Sequence, residues 1–516
     1  MPAQLVLTVP QSVLPVAPTF ESHVPMPRPK SPRPGASLVW FRLDLRLADH
    51  SALAAALAVG GPVLPVFIWA PEEEKPWAPG AASRWWLHHA LADLDAQLQA
   101  RGSRLIMRAG PAGKTLVTLA RETGAQRVFW CRRYEPAVKL RDEKVTATLC
   151  AAGVAAQSFN GSLLFEPGEI LNEKGKPLQV FGAFWRRCLM RGRPEPVTTR
   201  AKLLGERAPA PWPKSLALEK LGLLPRVKWD REFYAAWQPT QAGAQRRLRE
   251  FQKSALAGYA TGRDLPAVDG TSRLSPYLHF GQLSPRQVWA ALAGNGAGGA
   301  ATIKFLAEIG WREFGYHFLH HFPHTPATPL RPEWKTFPWQ KNARLLRAWQ
   351  EGRTGYPLVD AGLRQLWRTG WMHNRVRMIA ASLLVKQLQQ PWTAGAAWFW
   401  DTLVDADLAS NTLGWQWVAG CGADAAPYFR IFNPVRQGER FDPEGVYVRR
   451  YVPELAKLPA KFIHAPWTAP TEVLEKAGVD LGQNYPQPVV APEAGRRHAL
   501  QTFEKWKAWR QPQKAL

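Results

Sequence analysis

The stretch DADLASNTLGWQW, residues 405–417, sets two carboxylates, an amide and two indoles on one short segment. Asp405 and Asp407 need cations or hydrogen-bond donors if they are buried, because an unpaired buried charge is costly. Arg377 is one candidate partner for Asp405; an imide-like N–H or a ribose hydroxyl is another. Trp415 and Trp417 are two apart, so a helix sends them to different sides. One can face the core and the other a cavity. Three more strings carry usable chemistry. In TSRLSPYLHFGQLSP (271–285), Thr271, Ser272, Arg273 and Ser275 offer hydroxyls, main-chain donors and a cation, a reasonable phosphate cradle. The commoner use of such a string is a helix N-cap with a surface arginine. In FLAEIGWREF (305–314), Glu308 and Trp311 share a helix face and can hydrogen-bond and stack a flat heterocycle. A solvated Glu beside a core Trp fits that spacing as well. In GWMHNRVRM (370–378), Asn374 and Met378 share a face; an amide and a thioether suit the edge and face of a base. Alone, that pair is more often ordinary packing.

The elements that must carry these residues fall into two halves. Residues 37–165 alternate short apolar runs with helical patterns. SLVWFR, PVLPVFIWA, SRLIMRAG, GAQRVFWCRR and GVAAQSF read as strands; ADHSALAAALAVG and SRWWLHHALADLDAQLQARG read as helices. This alternation predicts an α/β domain with a five-stranded, doubly wound parallel sheet. No dinucleotide-type or P-loop glycine motif follows a strand. Residues 166–240 form a proline-punctuated linker, and 241–516 turn helical to the end. Every string in the preceding paragraph lies in that helical half. Residues 1–36 read as a disordered, Pro-rich basic tail without the apolar core of a secretory signal.

Lys and Arg number 66 against 41 Asp and Glu, a formal charge of +25. A polyanion partner is implied, most often nucleic acid; anionic membranes and acidic proteins are the alternatives. The four cysteines lie far apart with no CxxC pair, which argues against a disulfide framework or a thiolate zinc site. No metal is expected, and a reducing cytoplasm fits. No uninterrupted apolar run of about 18 residues exists, so no membrane span is predicted. Of the 25 tryptophans nine fall between Trp339 and Trp417, where they must pack, stack or transfer electrons.

Taken together, WFRLDLRLADH (40–50), GTSRLSPYLHFG, GWREF, GYPLVDAGLRQLWRTGWMHNRVRM, DADLASNTLGWQW and DPEGVYVRRYVPEL (442–455) resemble the cryptochrome/photolyase family. The resemblance covers nearly all the chain beyond the tail. It implies the photolyase fold: a helical FAD-binding catalytic domain and an α/β domain that holds an antenna chromophore. The family's FAD-contacting positions fall on Tyr259, Thr271, Ser272, Arg273, Leu274, Ser275, Arg377, Asp405, Asp407 and Asn411. By the same resemblance Asp405 pairs with Arg377, Asp407 bonds the flavin ring edge, and Asn411 sits near flavin N5. An electron-transfer chain maps onto Trp415, Trp392 and Trp339. Lesion-contacting positions map onto Glu308, Trp311, Asn374, Met378 and Trp417, with Arg263 as a DNA contact. Glu308, protonated in an apolar pocket, is expected to donate to the lesion carbonyl.

Within the family, (6–4) photolyases typically carry His where this chain has Asn374. Plant cryptochromes usually have Asp at the Asn374 and Asn411 positions, Tyr at the Trp417 position and a long C-terminal extension. This chain keeps Asn, Asn and Trp and shows no such extension. It resembles bacterial class III cyclobutane pyrimidine dimer photolyases most, with class I as runner-up. The expected activity is light-driven repair of that lesion in UV-damaged DNA, by a monomer in the bacterial cytoplasm at the nucleoid. The alternatives are a blue-light photoreceptor without repair and a binding-only protein. YEPAVKLRDEK places Ala137 and Val138 where class I folate contacts are polar. Class III enzymes resemble a folate-binding group with a different pocket, and that resemblance implies 5,10-methenyltetrahydrofolate as the antenna, with a deazaflavin as the alternative.

Overall fold

The computed structural model describes residues 35–192, 194–293, 299–426 and 428–510. The tail expected at 1–36 lies outside the described residues up to residue 34, and Ala36 already opens the first strand. Strands β1 (Ala36–Phe41), β2 (Val63–Trp69), β3 (Ile106–Ala109), β4 (Ala125–Cys131) and β5 (Ala155–Phe159) form one parallel sheet in the order β3-β2-β1-β4-β5. Helices α1 (Ser51–Val59), α2 (Ala81–Gln99), α3 (Ala112–Thr123) and α4 (Pro136–Ala151) connect them. This is the doubly wound sheet predicted from the sequence. β1 is apolar except for Ser37 because both its faces are covered. Val39 and Phe41 pack with α1 and α2, and Leu38 and Trp40 with α3 and α4. Pro65 is tolerated inside β2 because β3 pairs only from Val66 onward, leaving that position without a partner on one side.

The stretch after β5 is more than a tether. It carries α5 (Phe181–Met190), which buries Phe184, Trp185 and Cys188 against the helical half. That half is built on α6 (Gln241–Glu250), α7 (Ala300–His321), α8 (Pro357–Thr369), α9 (Asn374–Ser382), α10 (Trp392–Thr402) and α11 (Leu408–Ala419), with shorter helices between them. The two halves share one core. Trp86 of α2 stacks on Phe280 at 5.9 Å and donates its indole N–H to Gln282 Oε1 at 2.9 Å. Gly80 allows a close approach: a Cβ there would stand 2.4 Å from the Trp400 carbonyl oxygen. The Ala81 N–H then reaches Asp401 Oδ1 at 2.8 Å, which anchors α10 on the first turn of α2.

Candidate functional site

Helices α9, α10 and α11 enclose a cavity of about 180 Å³ lined by Asn374, Arg377, Met378, Asp405, Asp407, Asn411 and Trp415, among others. Local chemistry sets where these residues fall. Asp407 caps α11 by accepting from the Ser410 N–H at 2.8 Å, and Gly420 at φ 92° ends the helix. His373 caps α9 by accepting from the Arg375 N–H at 3.2 Å; burial pushes its imidazole down to about 4, so the ring nitrogen stays an acceptor. Asn374 therefore opens α9 at the cavity mouth. Arg377 and Met378 follow one turn deeper.

The expected Asp405–Arg377 pair is present. Arg377 Nη2 donates to Asp405 Oδ1 and Oδ2 at 3.1 and 2.9 Å, and Arg377 Nε donates to the Met372 carbonyl at 2.7 Å. Ser275 Oγ also donates to Asp405, at 2.6 Å, so this hydroxyl serves the carboxylate in the structure. Asn411 Nδ2 donates to the Ala396 carbonyl at 3.0 Å, which leaves its amide oxygen as the free acceptor. Asp407 takes the Tyr316 hydroxyl and faces His279 Nδ1 at 3.6 Å. Burial pushes this carboxyl up, but His279, Arg312 and Tyr316 together hold it well below the usual carboxylate range. Asp407 is a fixed anion with part of its acceptor capacity already used.

The 271–275 string is held from outside. Arg247 donates to the Thr271 and Ser272 carbonyls, both at 2.9 Å, and pairs with Asp269 at 2.7 Å. Arg273 sits at φ 49°, a left-handed conformation uncommon outside glycine, with its guanidinium 4.9 Å over the Trp371 ring. Leu274 is core. Tyr259 is buried against Phe251 and Phe305 with the Arg263 guanidinium over its ring.

The surroundings of Glu308 are not the apolar pocket expected of them. Glu308 is half-buried and forms an ion pair with Arg263 Nη1. Glu308 Oε1 accepts from that guanidinium. The same pair commits Arg263, which is therefore not an unpaired phosphate contact in the structure. Trp311 stacks face to face with Phe181 at 3.8 Å and 8°. Trp417 is half-buried and donates its indole N–H to the Asp424 carbonyl at 3.1 Å.

Trp415 is 2% exposed and lies against α10 at Gly395, where a Cβ would meet its Cη2 at 2.0 Å. Trp392 opens α10 one turn before Gly395 and shares that face. The Gln340 N–H donates to the Gln389 carbonyl at 2.8 Å, tying the segment of Trp339 to the one that leads into Trp392. Trp339 is half-buried, stacked with Trp334 at 6.5 Å.

Residues 305–505 match the FAD binding domain of DNA photolyase, and residues 37–202 match the DNA photolyase domain. The chain belongs to the DNA photolyase family. It is 47% identical over 470 residues to a deoxyribodipyrimidine photo-lyase of Agrobacterium fabrum, covering 90% of this chain and 97% of that protein. It is 43% identical to cryptochrome-1 of Arabidopsis thaliana, over 88% of this chain and 68% of that one. A crystal structure of a bacterial class III photolyase from Agrobacterium tumefaciens superposes with a TM-score of 0.88 at 46% identity, covering 93% of this chain and 99% of that chain. The FAD-binding part of the photolyase chain is the part that encloses the cavity. A guanidinium–carboxylate pair, an ionised aspartate and a free amide oxygen suit the alternating donors and acceptors of a flavin ring.

Sequence reasoning missed several residues of this photolyase site. Trp349 and Phe399 meet Trp415 edge-on at 6.1 and 5.1 Å. Phe181, Asp424, His279 and Tyr316 reach the site from distant segments, so no local spacing announces them. Asp44, His50 and Cys131 also form an unforeseen buried cluster at the ends of β1 and β4. Asp44 flanks His50 Nε2 at 3.0 Å, and Cys131 flanks Nδ1 at 3.9 Å. Nδ1 already accepts from the Leu53 N–H, capping α1. With the carboxylate and the thiol on opposite ring nitrogens, the three do not converge on one ion.

Proposed function

We propose that the protein is a class III-type deoxyribodipyrimidine photo-lyase. It splits cyclobutane pyrimidine dimers in UV-damaged DNA, as a monomer in the bacterial cytoplasm at the nucleoid. One observation carries this reading: the cavity that gathers Arg377, Asp405, Asp407 and Asn411 opens past Asn374 and Met378. Arg377, Asp405, Asp407 and Asn411 would hold FAD, which when bound and reduced would supply the light-driven electron transfer that opens the dimer ring. The residues of the chain do the rest. The cationic surface binds phosphates without sequence readout and with strong salt dependence. Flipping the dimer out costs a few kcal/mol, least for a base pair that is already damaged. Stacking on Trp311 and Trp417 returns ~1–3 kcal/mol per base. Paired with Arg263, Glu308 accepts the imide N–H of a thymine on its second oxygen, while the Asn374 amide orients a ring carbonyl. Asn411 presents an acceptor to the flavin edge, and Asp407 remains ionised. Trp415, Trp392 and Trp339 carry electrons inward to restore the reduced cofactor.

For the antenna, a second cavity of about 180 Å³ lies at the seam between the two halves, lined by Glu74, Trp77, Glu135, Ala137, Val138 and Leu408, among others. Glu74 and Glu135 are both paired with Arg133, which also lines the cavity, and their remaining oxygen lone pairs suit the amino and ring N–H donors of a pterin, in keeping with 5,10-methenyltetrahydrofolate. Trp77 meets Trp400 of α10 edge-on at 5.5 Å.

The cryptochrome similarity favours one competing reading, a blue-light sensor without repair. Purified reduced protein with an oligonucleotide carrying a thymine dimer, under blue light and in darkness, separates the two. Light-dependent recovery of thymines is expected. Flavin photoreduction without recovery would move the protein to the sensor side.

A further inference from the structure

Lys386 is 1% exposed, a cation shut inside the helical half. It lies on the turn Leu383–Gln387 that continues α9. Its ammonium donates to the carbonyl of Ala419, the last residue of α11, at 2.7 Å. The negative end of the helix dipole favours a cation there. Its other close neighbours are rings. Nζ stands 3.7 Å from the centre of Phe429 and 5.7 Å from the centre of Trp334. Trp334 is buried and stacks with Trp339 at 6.5 Å and 27°. On its other side Trp334 meets Trp506 at 4.9 Å, and the Arg510 guanidinium stands 4.7 Å over Trp506. Among the described residues no cation lies over Trp339 in this way.

Every electron passed inward along Trp339, Trp392 and Trp415 leaves a positive vacancy that travels outward. By stacking alone the vacancy would run past Trp339 into Trp334 and Trp506. An ammonium over a neutral ring is attracted by the ring quadrupole. Once the ring has lost an electron it is itself a cation, and the same contact becomes like-charge repulsion, strong where little water screens it. We propose that Lys386 ends the electron relay at Trp339 by making oxidation of Trp334 unfavourable. The vacancy then rests on the half-buried ring that a solution donor can reach. One electron moves at each step: Trp415 gives one to light-excited oxidised flavin and regains it from Trp392, Trp392 from Trp339, and Trp339 from a thiolate in solution. This rests on the relay reading of the three tryptophans.

Lys386→Met removes the charge and keeps the length of the side chain. Burial pushes the Lys386 ammonium down to about 7, so the measurements are made at pH 6, where it is charged. Flavin content and the thermal midpoint check folding. The first readout uses no light: azide radicals oxidise the holoprotein in the dark, and oxidised tryptophans are mapped by mass spectrometry. Wild type should carry products on Trp339 and few on Trp334. Lys386→Met should raise the Trp334 to Trp339 ratio about tenfold, ~1.4 kcal/mol. In the second readout, a light flash on the oxidised holoprotein, Lys386→Met should lengthen the tryptophan radical lifetime about tenfold. Adding Trp334→Phe should restore the wild-type decay, a reversal that mere structural damage would not show. Trp334→Phe alone should change photoreduction less than twofold. A wild-type product ratio in Lys386→Met would overturn the proposal. Should that variant fail to fold, Trp334→Phe decides alone: severalfold slower photoreduction would mean that Trp334 carries the vacancy despite the ammonium. If Trp415→Phe and Trp339→Phe leave photoreduction intact, the relay reading fails, while the dark oxidation still judges Lys386.

Discussion

Gly395→Ala tests whether Trp415 is locked beside the flavin cavity. A Cβ at this position would stand 2.0 Å from Trp415 Cη2, 2.5 Å from Cζ3 and 2.6 Å from Cζ2. Ordinary contact begins near 3.4 Å, so the indole must retreat by about 1.4 Å or α10 must shift. Sideways retreat is blocked by Phe399 at 5.1 Å and Trp349 at 6.1 Å, each edge-on. The space left is the flavin cavity. Overpacking of this kind costs ~1–3 kcal/mol. The same substitution at an unhindered helix position gains roughly 0.5–1 kcal/mol, because alanine is the better helix former. Gly113→Ala in α3 is the control, since its Cβ would meet Thr148 Oγ1 at an ordinary 3.5 Å. The assay reads bound FAD per chain, the thermal midpoint and the rate of photoreduction with an external donor. Gly113→Ala should match wild type in flavin content. Gly395→Ala should melt earlier, retain less than half its FAD and photoreduce slowly in the fraction that keeps it. Full flavin occupancy with wild-type photoreduction would refute the confinement of Trp415.

Trp415→Phe should block photoreduction of oxidised FAD yet spare repair when the cofactor is reduced chemically; rapid photoreduction in that variant would remove Trp415 from the chain. Glu313 is buried and accepts from the Leu164 and Phe165 N–H groups, and burial pushes its carboxyl up from 4.5 to about 7. A raised folded-state value means that its favourable contribution is complete below pH 4.5 and is lost as pH rises through 7. Glu313→Gln should therefore gain stability over wild type between pH 5 and 8, by roughly 3 kcal/mol at the upper end. A stability difference that stays constant with pH would show that the carboxyl does not titrate there. Finally, the salt dependence of binding should have the same logarithmic slope for damaged and undamaged DNA, because the phosphate contacts are common to both. A steeper slope for damaged DNA, measured by titration at several ionic strengths, would mean that the lesion recruits extra cations.

What was legible in the sequence followed from local physics. β1 reads as a buried strand because every residue from Ala36 to Phe41 is buried. The start of α11 is legible because Asp407 is followed by a helical pattern, and its end because Gly420 can adopt positive φ. The roles proposed for Asn374 and Met378 were not legible that way: their spacing serves core packing and base recognition equally, and only the family resemblance favours the second. The misreading of Glu308 has a definite cause. Spacing placed it beside Trp311 on α7, but its surroundings are set by Arg263, which arrives from the end of a separate short helix. Asp407 makes the same point in reverse. In a chain with a surplus of 25 positive charges, the obvious partner for a buried carboxylate is an arginine. The groups closest to it are instead a tyrosine hydroxyl and a histidine, Tyr316 and His279, brought in by two other helices. Local pattern therefore places a charged side chain on its element, while tertiary contact decides what that charge meets and hence whether it donates, accepts or stays fixed.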